Sequence, residues 1–568
     1  MQRARRLYLY FVSAVSLLAI GVGISRLLMN LFERISDALR RTNLISGDAD
    51  AFRREASLVI AIIVVALPIW LLHWWLAERA VAGTDTQAET ERSSTERALY
   101  LAVVLLVTFV IFLTSSISFV RELIRELASE DARTSPGTIP DSLALMMTTA
   151  AVWLYHSHVR RRDEQHGAGL AKSAALPRFS LYAALVVAAI VALTSLSDLL
   201  SLAAQAIFDE RPVLTDTHWW VDGLAAGVAG SLVGLALAAL QMLRAIRLIA
   251  RPDALGVAER RSILRRFALY ALTFIGLIVS LVFAAESLEN VLREILGVSD
   301  GPENISFRIV EPLLRAIPFV AAWFMFGQLV VAEADERNEA ADQANVRRIY
   351  SYGIALIGLA AGSIGLASTL ATAFDRIAGG QASLIGSGPW KAELSAMLPV
   401  TLLGAATWIW QSYRFGQWVE DDPLVERSNT VRRVYVYTAL AGAVVAVLVS
   451  LALIIYRTLS ALLDVGTESL GRALSIPGGV FLVSAAVLIY HALILRADLA
   501  AQSVEETAAQ RVILELSGPG NLEIEDILKQ IAHELPGGYR LRVLDRATVE
   551  ALPEGELPEI EQRVSERD

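Results

Sequence analysis

Residues 5–23 read RRLYLYFVSAVSLLAIGVG: two arginines, an aromatic-rich start, then an uncharged apolar run long enough to enter a bilayer. This unit returns along the chain. A tyrosine marks each copy, at Tyr10, Tyr100, Tyr182, Tyr270, Tyr352 and Tyr437, with spacings of 90, 82, 88, 82 and 85 residues. A basic residue or pair precedes most copies, at Arg178, Arg265 and Arg266, Arg347 and Arg348, and Arg432 and Arg433; copy two has Glu96 and Arg97 instead. Each tyrosine is followed by an apolar stretch, a partly polar segment, a second apolar stretch ending in aromatic residues, and a basic linker. A hairpin of two membrane helices, repeated six times, fits that order.

Composition supports a membrane setting. The 568 residues are 55% hydrophobic and only 19% charged, more apolar and less charged than a soluble domain. About 20 mostly apolar residues are needed to cross roughly 30 Å of hydrocarbon. Twelve stretches approach or meet this: 7–28, 58–77, 98–120, 142–158, 179–200, 221–243, 267–285, 309–331, 349–374, 394–413, 434–456 and 476–495. The fourth is the weakest. They are too long and too continuously apolar for the alternating strands of a membrane barrel, and a helix satisfies its own backbone groups in lipid. The basic front and long apolar run of the first stretch read as an uncleaved signal anchor.

The expected fold is therefore an all-α membrane protein of about 12 transmembrane helices, arranged as six tandem two-helix repeats in one orientation. The repeats fall at 1–95, 96–175, 176–262, 263–345, 346–430 and 431–500. Residues 501–550 read as a small cytoplasmic α/β module, with strands at 511–517 and 539–545 around a helix, and residues 551–568 as an acidic, disordered tail. Connectors on the side of the N-terminus hold 25 lysines and arginines, and those on the other side hold 16. Basic loops stay in the cytoplasm, so both termini are placed there. The linker 244–266, with seven arginines, is the strongest single anchor. On the far side, the first helix of each repeat is expected to run past its apolar stretch into an amphipathic segment, as at Leu288, Val291, Leu292, Ile295 and Leu296, which recur at helical spacing. Such segments are expected to lie along the lipid surface or roof over the bundle.

Motifs for chemistry are scarce. Cysteine is absent, which removes disulfides, thiolate metal sites and c-type haem attachment. No P-loop, dinucleotide fingerprint, zincin motif or nucleophile elbow occurs. No catalytic residue, cofactor or metal ligand is assigned, and nothing in the charge pattern points to nucleic acid. Two sets of polar positions stand out. His73, His156, Gln241, Gln328, Gln411 and His491 lie near the inner end of every second helix, where a ring of hairpins would turn them into a polar girdle, or where they would anchor helices beside the Trp and Tyr of the headgroup zone. Asp198, Asp222, Glu286, Glu311 and Arg315 are ionisable residues near span ends, suited to surface pairing or to an ion path.

The openings RRLYLYFVSAVSLLAIGVG and VRRVYVYTALAGAVV, residues 5–23 and 431–445, resemble a family of uncharacterised bacterial membrane proteins built from tandem domains of unknown function. The resemblance covers about residues 1–500 and implies a bacterial inner membrane, with no activity to transfer. The expected role is a non-enzymatic membrane scaffold or sensor whose tail meets a cytoplasmic partner or a second copy; the alternative is a transporter or channel for a small solute.

Overall fold

The computed structural model describes residues 2–40, 49–128, 138–166, 168–210, 219–298, 304–336, 341–378, 389–463, 465 and 469–508. Among these the chain is helical, with no strand. In order the helices are α1 (Gln2–Arg40), α2 (Ala49–Val81), α3 (Thr86–Arg92), α4 (Thr95–Ala128), α5 (Thr138–Gln165), α6 (Ala175–Ile207), α7 (Trp219–Ile249), α8 (Ala254–Arg260), α9 (Ile263–Ile295), α10 (Ile305–Glu336), α11 (Ala341–Ala378), α12 (Pro389–Asp421), α13 (Pro423–Ser428), α14 (Thr430–Leu462) and α15 (Leu470–Ala508). Two short 3-10 turns, Ala168–Leu170 and Lys172–Ala174, join α5 to α6.

Among the described residues, eleven helical segments are long and apolar enough to cross a membrane. The twelfth long helix, α5, falls outside that set. It begins with Asp141, ends with Arg160, Arg161 and Arg162, and carries Thr148, Thr149, His156 and His158 between them, which dilutes its apolar run. Its 28 residues rise about 42 Å at 1.5 Å each, enough to match the other spans in length. The expected C-terminal module lies outside the described residues, except that residues 501–508 continue α15 rather than open a new element. The chain divides into two compact units, Met1–Arg496 and Ala497–Asp568.

Within the first unit, consecutive long helices pair as hairpins: α1 with α2, α4 with α5, α6 with α7, α9 with α10, and α11 with α12. The hairpins join by one rule. The first helix of each packs on the second helix of the next, as α1 on α5, α4 on α7, α6 on α10 and α9 on α12. First helices also touch in series from α1 through α4, α6, α9 and α11 to α14. Gly479 on α15 lies so close to α11 that an added Cβ would sit 2.5 Å from the Ala367 carbonyl oxygen, which extends the rule to the last pair. Burial follows from this order: half of the most apolar window is buried in the segments holding α4 and α9, against 11% in α2 and 17% in α14. The exposed Val445, Leu448, Val449 and Tyr456 of α14 would be a liability in water, yet lipid tails are as apolar as they are.

Small residues set the spacing of the helices. An added Cβ at Gly276 would lie 2.7 Å from Phe319 O and Trp323 N of the partner helix, and one at Gly234 would lie 2.8 Å from Ala192 N. Backbones in contact at mid-span gain dispersion energy, the main attraction left when lipid already solvates every apolar side chain. The amphipathic segments beyond the first spans are continuous with those helices: 288–295 is the end of α9, and Leu27 to Leu39 the end of α1. They extend the long helices as further turns, so these first helices do run on past their apolar stretches.

Candidate functional site

Three short helices, α3, α8 and α13, lie between the first and second hairpin, the third and fourth, and the fifth and sixth. Each starts with an aspartate whose side chain accepts a backbone N–H three residues on: Asp85 from Ala88 at 3.0 Å, Asp253 from Gly256 at 3.1 Å, and Asp422 from Val425 at 3.2 Å. Each then buries one glutamate, Glu91, Glu259 or Glu426, exposed by only 4%, 3% and 2%. An unpaired carboxylate at such depth would be strongly destabilising, so partners are required. Arg6 meets Glu91 at 2.8 Å, Arg178 meets Glu259 at 3.1 Å, and Arg348 meets Glu426 at 2.8 Å.

Every one of these arginines sits four residues before a repeat tyrosine, Tyr10, Tyr182 or Tyr352, so the pair shares one helix face a turn apart. Tyr352 donates to Glu426 at 2.8 Å and Tyr182 donates to Glu259. Tyr10 differs: its hydroxyl accepts from Arg97 at 3.3 Å. The arginine after the glutamate pins the short helix from its other end. Arg92 donates to the carbonyls of Val81 and Gly83, and Arg260 to those of Ile249 and Arg251, the same offsets of 11 and 9 residues. Arg97 is fully buried between Asp163 at 2.6 Å and Glu78 at 2.7 Å. Arg265 and Glu333 form a two-bonded pair at the matching end of α9 and α10.

Just inside these ion pairs lie two aromatic clusters of the same composition. His156 Nδ1 meets the Val152 carbonyl at 2.8 Å and its Nε2 meets Tyr100 Oη at 3.0 Å; His491 repeats this with Val487 at 2.9 Å and Tyr435 at 3.2 Å. A carbonyl only accepts, so Nδ1 carries a hydrogen, and in the neutral ring the tyrosine O–H donates to Nε2. Trp74 and Tyr155 complete the first cluster, Trp408 and Tyr490 the second; Trp408 Nε1 donates to Tyr435 Oη at 3.0 Å. The tyrosine-to-histidine separation is 56 residues in both. In the sixth copy the paired tyrosine is thus Tyr435, whereas the repeat marker Tyr437 is half exposed. Tyr435→Phe is expected to leave Trp408 N–H and His491 Nε2 unpaired in the interior, at about 1–3 kcal/mol for each group. A thermal melt of the purified variant beside His73→Phe, whose ring is more exposed, checks this.

The other predicted girdle positions scatter. His73 bonds Ile69 O at 2.8 Å and Tyr8 Oη at 3.3 Å. Gln241 is buried and accepts from Arg244 at 3.2 Å, Gln411 is fully buried with neither amide atom bonded to protein, and Gln328 is exposed. Of the ionisable set, four draw together at the opposite end of the bundle. Arg315 lies 3.7 Å from Glu311 and 4.0 Å from Asp198, with its guanidinium 4.7 Å from the Phe283 ring centre; Glu286, on α9, is close enough to feel both Glu311 and Arg315. Ser201 donates to Glu311. A cavity of about 270 Å³ opens here, lined by Asp198, Ser201, Gln205 and Arg315. Asp222 pairs instead with Arg125 at 2.8 Å. A second cavity, of about 350 Å³, lies at the end bearing the short helices, beside Tyr352, Phe415, Arg432 and Tyr435.

The family described as a domain of unknown function, DUF5671, matches this chain at residues 6–137, 210–324 and 348–486. Each matched stretch contains one of the short helices α3, α8 and α13. No match was found among curated proteins or among solved structures.

Proposed function

Because the chain belongs to the DUF5671 family, whose description assigns no activity, we propose from its geometry that it is a non-enzymatic scaffold or sensor of the inner (plasma) membrane. In this reading six hairpins cross in one orientation and group as three four-helix units, each closed by one short helix on the cytoplasmic side. The segment 501–568 then meets a cytoplasmic partner or a second copy. One observation carries it: at the end bearing the short helices buried tyrosine answers histidine and buried arginine answers carboxylate, while mid-span backbones touch at Gly234, Gly276 and Gly404. A conduit would place polar groups along a continuous space at that depth.

Transport remains the competing reading, and the cavity at Asp198 and Arg315 is what favours it. The two part in a flux assay. Proteoliposomes holding the full chain are expected to pass small cations, anions and zwitterions no faster than empty vesicles. Saturable flux that Arg315→Ala abolishes would instead establish transport. For the scaffold itself, affinity capture of the full chain, compared with a chain ending at Ala508, is expected to retain a partner or a second copy only when the tail is present.

A further inference from the structure

On the side of the short helices, the buried Arg97 and Arg265 and the half-buried Arg6, Arg178 and Arg348 each have a carboxylate within 3.1 Å. One cleft breaks that pattern. Between α4, α5, α6 and α7, three arginines, Arg160, Arg161 and Arg244, line the same opening. Arg160 has Glu164 at 3.3 Å. Arg244 has only the Gln241 amide oxygen at 3.2 Å and the face of Trp153, with its guanidinium carbon 4.3 Å from the ring centre, and Arg161 is exposed. The cleft therefore carries surplus positive charge against one acidic neighbour.

Its floor is polar and built. Gln241 is 2% exposed, and two serines, Ser157 at 8% and Ser180 at 4%, lie beside it. Its inner side is closed by the buried Leu105 and Phe109 of α4, while the helix faces that run on into the span below the arginines are apolar and open: Leu240 lies one turn from Arg244 on α7 and Leu154 two turns from Arg161 on α5, exposed by 38% and 61%. The enclosed part measures about 20 Å³, room for one water-sized group, so an occupant reaches it with a single oxygen while the rest of it stays outside. Guanidinium groups match the geometry of phosphate oxygens, and basic pockets between membrane helices suit phospholipid headgroups.

We propose that this cleft binds the phosphate of an anionic phospholipid, held by Arg161 and Arg244 with its acyl chain against Leu154 of α5 and Leu240 of α7. The inference does not depend on the scaffold reading; a transporter with this cleft would bind the same lipid. The arginines alone would serve a free phosphate equally well. It is the open apolar surface below them that selects a lipid, because a soluble anion gains nothing from Leu154 and Leu240.

Native mass spectrometry of the full chain in mild detergent tests it, with phosphatidylglycerol and phosphatidylcholine of identical acyl chains added at equal concentration. The expected result is preferential retention of phosphatidylglycerol, weakened roughly ten-fold or more in the Arg161→Gln/Arg244→Gln variant. Arg247→Gln, which removes a charge from the same helix outside the cleft, is expected to leave retention unchanged. Arg161→Gln alone alters an exposed side chain, so it is expected to fold normally and show part of the loss. Equal retention of the two lipids, unaltered retention in the double variant, or displacement of the lipid by millimolar inorganic phosphate would each overturn the proposal.

Discussion

Arg97→Met is expected to lower the stability of the protein by about 3–5 kcal/mol, the largest single effect foreseen here. Arg97 has no exposed surface and bridges Asp163 on α5 to Glu78 on α2, while also donating to Tyr10 on α1. Four helices, with α4 itself, thus meet at one guanidinium. Methionine fills similar volume but leaves Asp163, whose side chain is 5% exposed, without its main counter-charge. Arg162 contacts both carboxylates, at 2.6 Å to Glu78 and 3.4 Å to Asp163, and compensates only in part because it is 41% exposed and hydrated. The cost comes from stranded charge rather than from a lost attraction, so it should be repaired by removing the charge. The triple variant Arg97→Met/Glu78→Gln/Asp163→Asn is expected to regain most of the loss, which thermal unfolding in detergent would show. A single variant as stable as the parent would mean that this ion cluster does not hold the first two hairpins together.

Gly404→Leu is the second. A Cβ at this position would lie 2.4 Å from Gly362 N, 2.8 Å from its Cα and 3.0 Å from Ala361 C, all backbone atoms of the paired helix. Side chains can turn away, but backbone cannot, so α11 and α12 must separate along the length where Gly358, Gly362 and Gly365 also press on α12. Overpacking of this kind costs about 1–3 kcal/mol for extra methylenes in a well-packed core, and leucine adds more than one. Even Gly404→Ala should destabilise, although alanine is favoured over glycine by roughly 0.8–1.0 kcal/mol inside a helix. Gly442→Ala supplies the opposite sign: nothing lies within 4 Å of its added Cβ, so it is expected to be neutral or stabilising. Equal responses at both glycines would contradict the packing described.

Hydrophobic runs made the spans readable in advance, because a bilayer imposes a length that the sequence must meet. The same criterion was weakest at α5, where Thr148, Thr149 and His156 face helix partners and need not be apolar. The short helices are not legible in the sequence because six or seven residues are too few to show a helical period and look like any connector. Their signal was nevertheless present: an aspartate six residues before Glu-Arg at Asp85 and Asp253, shortened to four at Asp422.

His156 and His491 were singled out from their place near helix ends, but their tyrosine partners lie 56 residues away and only the fold identifies them. Likewise Ser201 and Glu311 are 110 residues apart, and no local pattern could join them. The marker tyrosine misled at Tyr437, since Tyr435 and Tyr437 lie about 200° apart around a helix and only one faces the bundle.

The central claim is that all hairpins cross the membrane the same way round, with α3, α8 and α13 on one face. The chain has no native cysteine, so single cysteines report position without background. Thr90→Cys, Val257→Cys and Val425→Cys place a thiol on each short helix, and Ile207→Cys, Ile295→Cys and Ile377→Cys place one at the far ends of α6, α9 and α11; all six positions are exposed. With a membrane-impermeant maleimide on intact cells, the first three are expected to stay unlabelled and the last three to react. Labelling of any short helix from the same side as Ile207→Cys would contradict the shared orientation on which the rest stands.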